Sequence, residues 1–423
     1  MIMKFSYLIP IVLCWLAEAT AQNPLTLEEA QQAAEQHFPL LHKKLLAAQT
    51  EEVQNAAIST AYLPQLNLVG QATYQSAVTT MPYKTPLPGF DVEPLSKDQY
   101  KAVLDFSQLI YDGGNTRLRK DLQMWNRKVE ELQVDVQIHA LKERINQLYL
   151  TALMINAQMS QLDLVDNDLK TGIAKVEAQL RGGTAYRSAL SVLQAELLKN
   201  AQRRIELEGN RQGLMEGLAT LTNLPLKATT PLLWPAQPDK VATNITRIEL
   251  DLLNVQDSLL QAQQQMPTLK SRPSVSAFGQ AGYGRPGYDF LKNEFTPYGM
   301  VGLRLRWDIS SLYTKKKDEE QVAINRKQLE VQRDNFLLQT RSQLAQQAAE
   351  IEKWRRISHT DDAIIALRIQ VKEAALSQLE NGVITSSEYI REVDAAEQAR
   401  QQAIVHKLRL LQAIITYETK AGK

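Results

Sequence analysis

"YLPQLNLVGQATYQ", residues 62–75, and "SRPSVSAFGQAGYG", residues 271–284, decide the fold. Each carries a proline, Gly-Gln-Ala six residues later, and a tyrosine beyond. Pro64/Pro273, Gly70/Gly279, Gln71/Gln280, Ala72/Ala281 and Tyr74/Tyr283 share an offset of 209. Inside the first stretch Leu66, Leu68, Gly70, Ala72 and Tyr74 fall on one side of a strand, with Asn67, Gln71 and Thr73 on the other. Two further segments alternate likewise. In "LDFSQ" Leu104 and Phe106 oppose Asp105 and Ser107, and in "VGLRLRW" Leu303, Leu305 and Trp307 oppose Arg304 and Arg306.

Between the strands the sequence is helical. No proline occurs from 95 to 224 or from 298 to 423, so each block accommodates very long helices. Leu118, Leu122, Trp125, Val129, Leu132 and Val136 step by fours and threes, a coiled-coil seam. Val322, Leu329 and Phe336 recur at seven, then Leu337, Leu344 and Ile351 one register along. A glycine turn interrupts each block, "QLRGGTAYRS" (179–188) and "QLENGVITSS" (378–387). Gln179/Gln378, Leu180/Leu379 and Gly183/Gly382 are offset by 199, as are Leu104 and Leu303, so the halves are true repeats. Helices over about 114–181 and 313–380 would each run ~100 Å at ~1.5 Å per residue. Beside each lie two shorter ones: an opening helix (40–62 or 247–266) and a return helix (186–222 or 386–420). The expected organisation is a signal peptide at 1–21, a first repeat at 22–222, a Pro-rich linker at 223–244, and a second repeat at 245–423.

Composition narrows the class. The chain is 44% hydrophobic and 22% charged, with net charge +1, so no electrostatic case exists for nucleic acid. Lys4, the apolar "YLIPIVLCWLA" and the small-x-small "ATA" at 19–21 read as a secretory signal. The only cysteine, Cys14, lies inside it, which leaves the mature chain without thiol chemistry. The five histidines are scattered without metal-ligand spacing, and no nucleophile–base–orienter set stands out, so neither an enzyme nor a cofactor is expected. "GQAGYGRPG" (279–287) leads into a strand, not a helix, and is no nucleotide loop. After residue 21 no apolar run approaches the ~18 residues of a membrane helix.

Strand alternation alone favours a half-buried soluble sheet, which alternates in the same way as a bilayer-crossing one. Four strands in lipid would leave unpaired edges at several kcal/mol per polar group, so a membrane reading requires several chains to pool strands.

The opening stretch from Leu25 to Leu68, which runs through Pro39 to "YLPQLNL", and "YDGGNTRLR" (111–119) resemble the TolC family of outer-membrane efflux ducts. "LTLEEAQQAAEQHFPLLHKKLLAAQTEEVQNAAISTAYLPQLNL" (25–68) is similar to that family's opening helix, internal proline and Leu-Pro-x-Leu strand start. "YDGGNTRLR" (111–119) resembles its turn into the long helix. "SSLYTKKK" (310–317) lacks the Asp-Gly-Gly of the first half, and "GTAYRS" has Tyr186 where a small capping residue is usual. The resemblance implies a mainly α chain with long coiled-coil hairpins and four β-strands. It also implies a homotrimer whose twelve strands form one β-barrel in outer-membrane lipid, continuous with an α-helical periplasmic tunnel. A periplasmic adaptor protein and an inner-membrane pump are the implied partners. Gly182, Gly183, Thr184, Gly382 and Thr385 mark the helix-turn tips where the adaptor would dock.

Glu388 and Asp394 are tunnel-gate candidates, since a ring of carboxylates there would narrow and cation-select the aperture. Glu388 also fits a capping box with Thr385, and Asp394 a solvated coil face. Arg304 and Arg306 would line the barrel lumen, with plain solvation as the bland alternative. Tyr74, Tyr111, Tyr283 and Trp307 suit an aromatic girdle or the core of a soluble sheet. The function expected is a passive outer-membrane duct for small molecules such as drugs. Its competitors are a type I protein-secretion duct and a soluble periplasmic coiled-coil scaffold.

Overall fold

The computed structural model describes residues 24–79, 94–236, 244–289 and 292–423. The expected signal peptide, most of the 81–98 loop and residues 237–243 of the linker lie outside them. The chain opens with α1 (Leu27–His37), whose N-terminus is closed by a capping box between Thr26 and Glu29. Pro39 separates α1 from α2 (Leu41–Ser59), and a 3₁₀ turn at Thr60–Tyr62 leads through Pro64 into β1 (Gln65–Tyr74). There follow β2 (Asp98–Tyr111), α3 (Asn115–Arg181), α4 (Arg187–Thr222), α5 (Ile248–Gln263) and α6 (Met266–Lys270). β3 (Ser274–Arg285), β4 (Thr296–Arg306), α7 (Ser311–Glu380) and α8 (Ser386–Ala421) complete the order.

The two long helices run 67 and 70 residues without a break, as the proline-free blocks require. One boundary differs from the sequence expectation. The opening helix of the second half does not run through to 266: α5 ends at Gln263 and α6 restarts with Pro267 in its first turn. Proline fits a first helical turn, where its missing N–H would have no partner, but not a helix interior. Among the described residues no helix is long and apolar enough to cross a membrane.

Packing divides the chain crosswise into two compact units, each drawing on both repeats. One unit holds α1, α3 from Leu141 onward, α4, α7 from Gln347 onward and α8. Its core gathers Ile145, Leu153, Met215, Leu218 and Leu411 around the fully buried Tyr149. The Tyr149 hydroxyl lies 2.6 Å from the Leu25 carbonyl oxygen and 2.7 Å from that of Leu233. It thereby ties the N-terminal segment and the linker, which pair through a Leu25–Leu232 bridge, onto α3. Burial pushes the pKa of this phenol above its ordinary value.

The other unit holds the sheet and the helices that flow into and out of it. The strands are antiparallel in the order β1-β2-β3-β4. The helices follow the same order. Lys44–Asp135 and Arg127–Glu51 join α2 to α3, Leu118 and Leu122 meet Ala262 between α3 and α5, and a bidentate Arg326–Asp257 pair (2.8 and 2.9 Å) joins α5 to α7. The expected α3 seam begins on Leu118 and Leu122. By Val134 and Ile138 the buried face has moved round the helix, while Leu132 and Val136 are half-buried. A straight α-helix drifts relative to a strict seven-residue repeat, and the neighbours of α3 change along its length.

Tyr149→Phe removes the hydroxyl that lies between the Leu25 and Leu233 carbonyls, the first of which also accepts from the Leu233 N–H. It is expected to lower stability by about 2 kcal/mol, read as a drop in the midpoint of thermal or denaturant unfolding. An unchanged midpoint would show that the hydroxyl does not hold the linker.

Candidate functional site

The sheet separates its side chains by chemistry. Cross-strand register aligns Leu66 with Phe106 and Leu68 with Leu104. It also sets Leu104 opposite Ala281, Phe106 opposite Gly279, and Ala277 opposite Leu303. Leu66, Leu68, Leu104, Val301, Leu303 and Leu305 therefore share one face, and that face is bare: Leu68 is 78% exposed, Val301 87% and Leu303 73%. Exposed aromatics stand at both ends of this face. Tyr74, Tyr100 and Tyr283 lie at the loop end, with Phe295 stacked on Tyr283 at 5.7 Å; Tyr111 and Trp307 lie at the helix end. From Trp307 to the position opposite Tyr283 is about ten residues, or ~33 Å of strand and ~25 Å of height once tilted by ~40°.

The opposite face carries Lys101, Asp105, Gln71, Gln280, Arg304 and Arg306. Gln280 donates to Asp105 at 2.6 Å, and Arg304 lies 4.6 Å from the centre of the Phe278 ring. Phe278 and Tyr298 lie over Gly302 and Gly282 of the paired strands, where a Cβ would come within 2.9 Å of the ring atoms. Glycine at these two positions is what lets the rings lie flat on this face. Among the described residues β1 and β4 each pair on one side only, which leaves two open edges of ten and eleven residues.

The strand-to-helix junctions are rigid. The Asp112 carboxylate accepts from the backbone N–H of Gly114 at 2.9 Å and from that of Thr116, capping α3, and from the Tyr62 hydroxyl at 3.0 Å. Partial burial pushes Asp112 up, but these donors outweigh it and hold its carboxyl below the usual range. Gly113 has φ +73°, and a Cβ there would meet the Cβ of Arg272 at 2.9 Å. In the second half, which lacks the Asp-Gly-Gly, α7 starts at Ser311, whose hydroxyl donates to the Asp308 carbonyl at 2.6 Å.

Both helix-turn tips lie in the unit that contains α4 and α8, and they are copies of one another. Thr184 N–H donates to the Gln179 carbonyl (2.9 Å) and Gly183 N–H to that of Leu180 (3.1 Å). Val383 to Gln378 (2.9 Å) and Gly382 to Leu379 (3.1 Å) repeat the pattern. These are Schellman turns, and Gly183 and Gly382 occupy their left-handed positions at φ +75° and +66°. The Gln179 side chain reaches across and donates to the carbonyls of Leu379 and Glu380, and Lys175 pairs with Glu380. Gly182, Gly183, Thr184, Gly382 and Thr385 are all exposed. Tyr186 precedes α4 without a side-chain cap and is 84% exposed. Behind the tips, Tyr389 is buried against Gly172, where a Cβ would stand 2.9 Å from its ring.

Glu388 forms a capping box. Its carboxylate accepts from the Thr385 N–H (2.7 Å) and hydroxyl (2.9 Å), while its own N–H donates back to the hydroxyl (3.2 Å). Those donors hold the carboxyl below its ordinary range. Asp394 lies at a groove bordered by α3, α4 and α8, beside Glu196, Lys199 and Glu397. Glu397 is only 8% exposed. One of its oxygens accepts from Gln401 at 2.7 Å, and the other is buried without a hydrogen-bond partner. Burial raises both acids, and Glu196 adds to the rise at Asp394.

No protein-family profile and no curated relative matches this sequence. Solved structures do. CusC, described for the conformational changes that accompany its folding and transmembrane channel formation, superposes with TM-score 0.71 at 14% identity, covering 94% of this chain and 92% of that one. The Campylobacter jejuni CmeC outer membrane channel gives 0.65 at 13% identity, with 94% and 85% covered. The open-state MtrE outer membrane channel of Neisseria gonorrhoeae gives 0.65 at 15% identity, with 94% and 89% covered. The chain has the outer-membrane channel fold. That fold accounts for both halves, since the matches run through the strands and the long helices alike.

Sequence reasoning missed three residues of these surfaces. Gln179 appeared only as a repeated letter, yet it ties one tip to the other. Glu397 looked like any helix-face acid, although its place three residues after Asp394 puts both on one face. Gly172 sits inside a helical run, where an isolated glycine usually has a packing reason, and Tyr389 supplies it.

Because Glu397 is raised in the folded chain, its protonated form is favoured by folding. That contribution is full below the ordinary carboxylate range and is lost as pH rises through the raised value. Glu397→Gln, which keeps the Gln401 contact, is thus expected to raise the melting temperature by a few degrees at pH 8 and to change it little at pH 4. A fall at pH 8 would contradict the burial argument.

Proposed function

We propose that the chain is the outer-membrane component of an export system, a passive duct from periplasm to exterior for small molecules such as drugs. The observation that carries this reading is the four-stranded sheet with one bare apolar face, aromatics at both ends of that face, and two open edges. In lipid each edge would leave about ten polar backbone groups unpaired, a penalty of tens of kcal/mol at several kcal/mol per group. Copies of the chain joined β4 to β1 remove it. Three copies give twelve strands, enclosing a lumen into which Arg304 and Arg306 point. The fold shared with CmeC and MtrE supports the same reading.

The bare face argues against the soluble scaffold. A soluble sheet covers its apolar side, and the exposed patch here far exceeds scattered surface leucines. The partners we infer are a periplasmic adaptor docking at Gly182, Gly183, Thr184, Gly382 and Thr385, and an inner-membrane pump that supplies the energy. Glu388 and Asp394 are proposed to set the ion selectivity of the tunnel mouth, Glu388 in addition to its capping role.

Two measurements test these statements. After membrane fractionation the processed chain is expected in the outer membrane, resistant to salt washing and released by detergent as a trimer. Leu68→Arg, costing ~2–4 kcal/mol at the bilayer midplane, should reduce the assembled fraction at least tenfold. A soluble monomer would sink the duct. In planar bilayers Glu388→Gln and Asp394→Asn are expected to lower cation selectivity, and unchanged conductance and selectivity in both would reject the gate.

A further inference from the structure

The groove between α3, α4 and α8 shares Asp394 with the proposed tunnel mouth, but the rest of its chemistry has no part in the duct reading. Its volume is about 580 Å³, within the ~300–1,000 Å³ of small-molecule sites. Buried Leu162 and Val165 of α3 form an apolar floor. Four carboxylates border it, Glu196 and Glu206 from α4 and Asp394 and Glu397 from α8. Two cations stand among them, and both are engaged. Lys199 pairs with Glu196 at 3.0 Å, and Arg203 donates to the Gln401 side-chain oxygen at 3.0 Å.

The decisive atom is the second carboxylate oxygen of Glu397. Its residue is more than nine-tenths buried and lines the groove, and among the described residues no donor reaches this oxygen. A buried carboxylate oxygen without a donor is costly, and an ammonium or guanidinium proton is the strongest remedy. Among the described residues no three acid or imidazole groups are placed to hold a metal ion. The apolar floor likewise favours a cation that carries hydrocarbon.

We propose that this groove is a binding site for small amphipathic organic cations, with Glu397 and Asp394 as the anionic anchors and Leu162 and Val165 as the apolar contact. The site is built within one protomer, so the proposal stands whether or not the chain exports anything.

Ethidium is the probe, measured by equilibrium dialysis against the purified full chain in non-ionic detergent. Saturable binding is expected, weakened at least tenfold by Glu397→Gln and by Asp394→Asn. Glu373→Gln, which removes an exposed carboxylate of α7 outside the groove, should leave it unchanged. Thermal melts of each variant distinguish a lost anchor from a lost fold. Absence of saturable binding to the unaltered chain overturns the proposal, as does an affinity that neither groove substitution moves.

Discussion

A β-sheet edge is a row of amide and carbonyl groups that must find partners, and in hydrocarbon there is no water to supply them. The four strands here satisfy one another only inward, along β1-β2-β3-β4, and leave their outer edges open. The same sheet leaves the leucines of one face exposed. Among the described residues, open edges and a bare apolar face thus occur together on one sheet. It is on these two features that the proposal of a pooled, lipid-facing barrel rests.

The helical part meets a different demand. Helices of 67 and 70 residues have no intrinsic reason to stay straight and paired, so contacts between neighbours must hold them at intervals. In the unit that includes the sheet, ion pairs and a small apolar cluster join α2, α3, α5 and α7 in the order of the strands. In the other unit, Tyr149 and its core anchor the N-terminal segment, while Tyr389 and Lys372–Asp168 (2.8 Å) fasten the helices behind the tips. Packing thus divides the chain across its two sequence repeats, with each repeat serving both units.

Acidic residues near the tips differ in role because their surroundings differ. Glu388 and Asp394 are six residues apart on α8, yet hydrogen bonds from Thr385 stabilise one carboxylate, while burial and Glu196 work against the other. Glu397, one turn beyond the surface-accessible Asp394, is buried. A helical stretch of a few residues therefore passes from a cap to an anionic groove, and local spacing alone distinguishes the first but not the second.

What the sequence determined is everything that depends on period, chain breakers and repetition. Alternation in "LNLVGQATY" and "VGLRLRW" placed the strand faces, the missing prolines set the helix lengths, and the offset of 199 fixed both tips, down to Gly183 and Gly382 in their left-handed positions. These are local properties, written in steps of two, 3.6 or one turn. The tertiary structure decided which helices meet and therefore which polar groups are buried together. The reach of Gln179 to the other tip and the seating of Tyr389 on Gly172 join residues some two hundred positions apart, and the unpaired oxygen of Glu397 depends on burial that packing supplies. Such encounters follow from the packing of whole helices, which no short window of sequence encodes.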